Sequence, residues 1–236
     1  MIQENALPAT PMHDIVHQPV QPLTLPKPYY EERGITIYHG DCRDILPLLG
    51  RVDLVFADPP YNVDLQYKGY RDGMQINQYR AFCRDWWVKS MAIAKSVVVT
   101  PGAEHLAFWA TFEPSWVYCW RNPTNSGGGR ACMKLSWEPV VAFGFPLKPL
   151  ATDVMDYNVK HGGESQFDHP CQKPLGMLKR IIERWVPEDG VVVDPFLGSG
   201  TTARAAKDTG RRAIGIEQSE EYCEVAARRL SQGVLF

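Results

Sequence analysis

Two short apolar runs each stop at an aspartate. Val52-Asp53-Leu54-Val55-Phe56-Ala57 runs into Asp58, and Val191-Val192-Val193 runs into Asp194. Each run suits a buried strand and is too short for an ordinary helix. A strand covered on both faces needs such a continuous apolar stretch, and doubly covered sheets are built from parallel strands joined through helices. The pattern repeats along the chain. Residues 34–39, 96–100, 117–120, 139–143 and 212–216 read as further strands, the last ending at Glu217. Helical spacing marks residues 45–49, 78–94, 174–185, 203–208 and 220–230; in 174–185, Leu175, Leu178, Ile181, Ile182 and Trp185 share one face. The alternation predicts an α/β fold, a mostly parallel sheet with helices on both faces.

The chain has 236 residues, enough for a sizeable core. Apolar residues make up 44% and charged residues 22%, the balance of an ordinary soluble protein, and the net charge of −2 rules out a simple basic coat for a polyanion without excluding a local basic groove. Six cysteines at irregular spacing, with no C-x-x-C pair, read as reduced thiols and argue against a zinc site. No signal peptide and no membrane-spanning run is found, so the expected location is cytoplasmic. Residues 1–30 carry six prolines among polar residues and read as a flexible tail, leaving 31–236 as a single domain.

In open α/β sheets, ligands bind outside the carboxyl ends of the strands. Three of these ends carry acids, Asp58, Asp194 and Glu217. Asp194-Pro195-Phe196-Leu197-Gly198-Ser199-Gly200-Thr201-Thr202 follows one strand and opens a helix. Its glycines let backbone approach a ligand, and the helix start offers N–H groups. No lysine follows Gly200, which excludes a P-loop, and the third glycine of the G-x-G-x-x-G fingerprint is missing. A nucleoside-type cofactor with little phosphate fits better. Glu217, about 20 residues further on, is placed to accept from ribose hydroxyls. At the other strand end, Asp58-Pro59-Pro60-Tyr61 joins a carboxylate, a stiff turn with open carbonyls, and an aromatic face for a base.

Asp58-Pro59-Pro60-Tyr61, Phe196-x-Gly198-x-Gly200 and His169-Pro170-Cys171-Gln172-Lys173-Pro174 together resemble the amino-methyltransferases that modify adenine N6 or cytosine N4 in DNA. The order, with the tetrapeptide ahead of the glycine turn, is similar to the beta class. The resemblance covers residues 34–230 and implies a Rossmann-like, circularly permuted methyltransferase sheet. The glycine strand and the Glu217 strand come last in the chain, and their missing neighbour returns as residues 34–39. It implies S-adenosylmethionine over the glycine turn, bound by Asp194, Phe196, Gly198, Ser199, Gly200, Thr201 and Thr202, with Glu217 on the ribose. Asp41 and its neighbour Cys42 fall on the adenine side, and Gln172-Lys173-Pro174 near the methionine end. Cys171 stands where the family more often has threonine.

The catalytic set so implied is Asp58, Pro59, Pro60 and Tyr61. A flipped base would stack on Tyr61 and donate its amino hydrogens to Asp58 and the Pro59 carbonyl. The aspartate form of the tetrapeptide leans towards adenine N6. Cytosine-N4 or RNA methylation and a catalytically silent nucleic-acid module are the alternatives. The partners expected are double-stranded DNA and, as one option, a second copy of the chain, with no metal and no membrane. Residues 64–78 and 150–168 read as inserted DNA-recognition loops, with Lys68, Arg71, Arg121, Arg130 and Lys160 as candidate contacts. Arg211-Arg212 and Arg228-Arg229 read as solvated pairs.

Overall fold

The computed structural model describes residues 24–66, 72–122, 136–158 and 172–232. In chain order the first half contains β1 (Tyr30–Glu32), β2 (Ile35–His39), α1 (Cys42–Ile45), a 3-10 turn at Leu46–Leu48, β3 (Val52–Ala57), α2 (Ile76–Ile93) and β4 (Ala94–Val99). Then come α3 (Leu106–Ala110), β5 (Trp116–Arg121), β6 (Trp137–Phe143) and β7 (Val154–Asp156). The chain closes with α4 (Leu175–Trp185), β8 (Val191–Asp194), α5 (Thr201–Asp208), β9 (Arg212–Glu217) and α6 (Glu220–Ser231).

Among the described residues, nine strands form one sheet in the order β1-β2-β9-β8-β3-β4-β6-β5-β7. The central pairings β2–β9, β9–β8, β8–β3 and β3–β4 are parallel, as is β5–β7 at the far edge. The strand β2 lies beside β9, with Ile37 opposite Gly215, as the permuted order requires. In β3, Leu54 faces Val192 and Val55 faces Val193 of β8. The carboxyl ends of these two strands therefore lie side by side.

Side-chain alternation divides the core into two layers. Leu54 and Phe56 join Ile37, Val98 and Trp120 beneath α4 and α5, where Met177, Leu178, Ile181 and Ala203 are buried. Val55 and Ala57 point the other way, towards Trp86 of α2 and Trp109 of α3. In α2 the buried residues Tyr79, Cys83, Trp86, Ser90 and Ile93 recur every three or four positions, so one stripe faces the sheet. Trp86 stacks between Trp109 at 5.3 Å and Phe196 at 5.2 Å. The core of this layer thus extends to the glycine turn.

Three features depart from the sequence reading. Tyr30, at the end of the supposed tail, begins β1, and Arg33 and Gly34 form a two-residue hairpin turn with φ of 47° and 81°. Arginine is an unusual choice for that left-handed position, which hid the hairpin. Residues 154–156 of the supposed recognition insertion 150–168 form β7, paired to β5. Ile76 to Gln78, the end of the supposed loop 64–78, already belong to α2. The base of that loop is pinned: Asn62 bonds the Met74 backbone in both directions, and the Asp72 carboxylate accepts from the Val63 and Leu65 amides. Lys68, Arg71, Arg130, Lys160 and the bulk of the tail lie outside the described residues.

Trp86→Ala should destabilise the protein by about 3–5 kcal/mol in chemical unfolding, because its pocket is walled by the sheet and two aromatic rings. Val88→Ala, at a position 53% exposed on the same helix, should stay within about 0.5 kcal/mol of the parent.

Candidate active site

The turn after β3 is held from four directions. Thr100, at the end of β4, donates its hydroxyl to Asp58 Oδ1 at 2.7 Å. Tyr79 of α2 donates to the Pro60 carbonyl at 2.9 Å, and His105 Nε2 donates to the Tyr61 carbonyl at 2.7 Å. Gly102, with φ of 75°, lets the Tyr61 ring lie against the backbone; a Cβ there would sit 3.2 Å from the ring. The fourth support is Lys173, only 8% exposed, whose ammonium lies 2.7 Å from the Asp58 carboxylate and 2.9 Å from the Tyr61 oxygen.

Tyr61 is tied at its far end as well. Its hydroxyl is 3.1 Å from Asp58 Oδ1 and 3.0 Å from Glu138 Oε2 on β6. Burial and these two carboxylates raise the phenol well above its ordinary pKa. The hydroxyl is therefore fixed by polar partners, while the residue stays half-buried.

The second strand end is as tightly organised. Asp194 Oδ1 accepts from the Phe196 amide at 2.9 Å, and the carboxylate also accepts from the Thr202 side chain. Burial nevertheless pushes this carboxyl up to about 7. Gly198 and Gly200 adopt φ of 51° and 81°, and a Cβ on Gly200 would come within 2.9 Å of Ala226 in α6. Glu217, also buried, accepts from the Gly198 amide and the Ser219 amide, each at 2.8 Å. One carboxylate thus staples the glycine turn to the end of β9; burial raises its pKa, and the backbone donors oppose that rise.

Arg229 overturns the expectation of a solvated pair. It is 6% exposed in α6 and reaches under the glycine turn, donating to the Ser199 carbonyl at 3.2 Å and Thr201 Oγ1 at 2.8 Å. The Gln172 amide oxygen, turned towards it, accepts from Nη1 at 2.6 Å and Nη2 at 2.9 Å. Burial, then the charge of Arg204, lowers the guanidinium to about 10. Gln172 is therefore a strut between the glycine turn and α6.

All of this surrounds one cavity of about 730 Å³. From the glycine side Asp194, Phe196, Gly198, Ser199, Thr201, Thr202 and Glu217 line it. Asp58, Pro60 and Lys173 line it too, as do Asp41 and Cys42. The Asp41 carboxylate caps α1 and is clasped by Arg43, whose hydrogen bond is the largest cause of its lowered pKa. Burial raises the Cys42 thiol. Pro59, Tyr61 and Gly200 are not among the lining residues. Of the proposed nucleic-acid contacts, Arg121 is paired with Asp156 in two parallel bonds, one of 2.9 Å. Cys171 and His169 lie outside the described residues. Thr100, Tyr79, His105 and Glu138 were missed by sequence reasoning, since each sits in an ordinary strand, helix or turn and acts only through folded geometry. Among the described residues no group of three His, Cys, Asp or Glu side chains is arranged to hold a metal ion. No described helix is long and apolar enough to cross a membrane.

Known proteins resemble this chain in sequence and in fold. The chain is 27% identical to the Type II methyltransferase M.ScaI of Streptomyces caespitosus, over 87% of its own length and 84% of that protein. It is 28% identical to the Type II methyltransferase M2.MboI of Moraxella bovis, over 86% and 90%. Among solved structures, the M1.HpyAVI complex with SAM superposes with a TM-score of 0.67 at 21% identity, covering 84% of this chain and all of that one. The cytosine-N4-specific PvuII DNA methyltransferase gives 0.69 at 18% identity, covering 91% and 90%. The family model for N6/N4 DNA methylases matches residues 104–228, more than half of the sequence and including the glycine turn, Glu217 and Lys173. On that match, the chain belongs to the N6/N4 DNA methylase family.

Proposed function

We propose that the protein transfers a methyl group from S-adenosylmethionine to adenine N6 of a base flipped out of double-stranded DNA. The observation that carries this reading is the convergence of Asp58 and the glycine turn on a single cavity. The cavity suits the cofactor in size and in donor set. Gly198 and Gly200 open the backbone to a nucleoside, Glu217 lies within reach of a ribose, and Phe196 offers an apolar wall. Once bound, the cofactor supplies an electrophilic methyl on a sulfonium.

The work of the protein is then positioning. Asp58 and the Pro59 carbonyl accept hydrogen bonds from the target amino group and turn its lone pair out of ring conjugation. Thr100, Tyr79 and His105 fix that turn in advance, so little reorganisation is left for the reaction itself. Lys173 offsets the Asp58 charge while the site waits, and its ammonium is also in reach of the cavity. Flipping costs a few kcal/mol, which contacts with the DNA would help to supply. Cytosine N4 is the second reading, because an enzyme described as cytosine-N4-specific shares the fold. The aspartate in the tetrapeptide favours adenine.

Mass analysis of nucleosides from DNA incubated with the protein and labelled S-adenosylmethionine should find N6-methyladenine; label on cytosine, or on RNA alone, would replace this reading. Asp58→Ala should retain cofactor and DNA binding and lose methyl transfer by about 10²–10³-fold. Equal transfer by that variant removes Asp58 from the chemistry.

Asp194 makes stability depend on pH. Its folded pKa of about 7 exceeds the ordinary 3.8, so the folded chain holds this proton more tightly than the unfolded chain. The resulting stabilisation is full below about pH 4 and is lost as pH rises through about 7. Chemical unfolding at about pH 5 and about pH 8 should show the parent losing about 2 kcal/mol more than Asp194→Asn. Matching slopes would mean that Asp194 is already ionised at the lower pH.

A further inference from the structure

Alkylation of an amino nitrogen leaves a proton to be discarded. As the N–C bond forms and the C–S bond breaks, the nitrogen becomes cationic, and the neutral methylamine appears only when one N–H proton departs. Asp58, the proposed acceptor of that hydrogen, can take it. A protonated Asp58 would leave the ammonium of buried Lys173 without the anion it now faces, a costly arrangement in a half-buried site. The proton therefore needs an onward path.

We propose that this path runs through the Tyr61 hydroxyl to Glu138, a carboxylate outside all the motifs, which releases the proton to water. The inference rests on the methyltransferase reading above and adds a positioning residue to it. Its basis is the placement of one phenol between two carboxylates, 3.1 Å from Asp58 Oδ1 and 3.0 Å from Glu138 Oε2. A phenol has a single proton and can donate to only one of them. Asp58 Oδ1 already accepts from Thr100 at 2.7 Å, and Lys173 serves the same carboxylate. The phenol hydrogen is better used on Glu138, with the phenol oxygen turned towards Asp58.

That orientation sets the relay. When Asp58 holds the substrate proton, the Tyr61 hydrogen passes to Glu138 and the Asp58 hydrogen passes to the Tyr61 oxygen. One O–H bond forms on Glu138, one breaks on Asp58, and Tyr61 ends as it began, with no electron exchanged. The raised pKa of Tyr61 favours the neutral phenol throughout.

The other groups around the relay do not replace it. Lys173 donates to both Asp58 and Tyr61, so while charged it has no lone pair to receive a proton. His105 Nε2 is engaged with the Tyr61 carbonyl, Tyr79 with the Pro60 carbonyl, and Asp194 lies on the glycine side of the cavity. Among the described residues that touch Tyr61, Glu138 is the carboxylate that continues away from the cavity. It is half-buried at the start of β6, beside exposed Ser136 and Trp137.

Glu138→Gln tests this, because the amide keeps the shape and still offers Tyr61 an acceptor while being unable to take a proton. Single-turnover transfer should slow by about 10²-fold, with cofactor and DNA affinities unchanged, and its pH profile should lose the limb that Glu138→Asp restores. Tyr61→Phe removes the middle member of the same path, so it should slow transfer by a similar factor, and the double variant Tyr61→Phe with Glu138→Gln should be no slower than either alone. Parent-like rate and pH profile in Glu138→Gln, or multiplied losses in the double variant, would overturn the relay. A parent protein that methylates no DNA would instead overturn the functional reading, and the relay with it.

Discussion

The parallel register of β3 on β8 is the constraint from which the site follows. Because Leu54 faces Val192 and Val55 faces Val193, both strands run out at the same level, and the turns after them share one cavity. A slip of one residue would also exchange the two faces of β3 and send Phe56 into the layer built for Val55. Apolar packing on both sides therefore sets the meeting of Asp58 and Asp194. This is why two acids, from opposite ends of the chain, can be brought together against their mutual repulsion.

Bringing buried acids together is expensive, and each is surrounded accordingly. Asp58 has Thr100 and Lys173; Asp194 has the Phe196 amide and Thr202; Glu217 has the Gly198 and Ser219 amides. These bonds do more than offset the desolvation of the charges. They lock the tetrapeptide and the glycine turn in place before any ligand arrives, which is the condition for catalysis by positioning. Arg229 extends the same logic beneath the glycine turn, where its guanidinium joins Ser199, Thr201 and Gln172. A buried cation at that point ties α6 to the glycine turn.

The strands were legible because a doubly covered strand needs a continuous apolar stretch, which residues 54–57 and 191–193 supply. The glycine turn was legible because left-handed backbone at Gly198 and Gly200 needs residues that tolerate it. β1 and its turn were not, because Arg33 takes a left-handed conformation that sequence preference assigns to asparagine or glycine. β7 was hidden in a polar stretch, since an edge strand of three residues has too little pattern to register.

Local chemistry in the sequence thus marked the candidate residues: the carboxylates at strand ends, the prolines after Asp58 and the glycines after Asp194. Only the tertiary structure decided what those residues are bonded to. Lys173, read as a cofactor contact, faces Asp58; Arg229, read as a surface charge, is buried; Glu138 meets Tyr61 across 77 positions of chain. Such pairings depend on how strands and helices dock, and docking is governed by buried area and register summed over the whole core, which no short stretch of sequence contains.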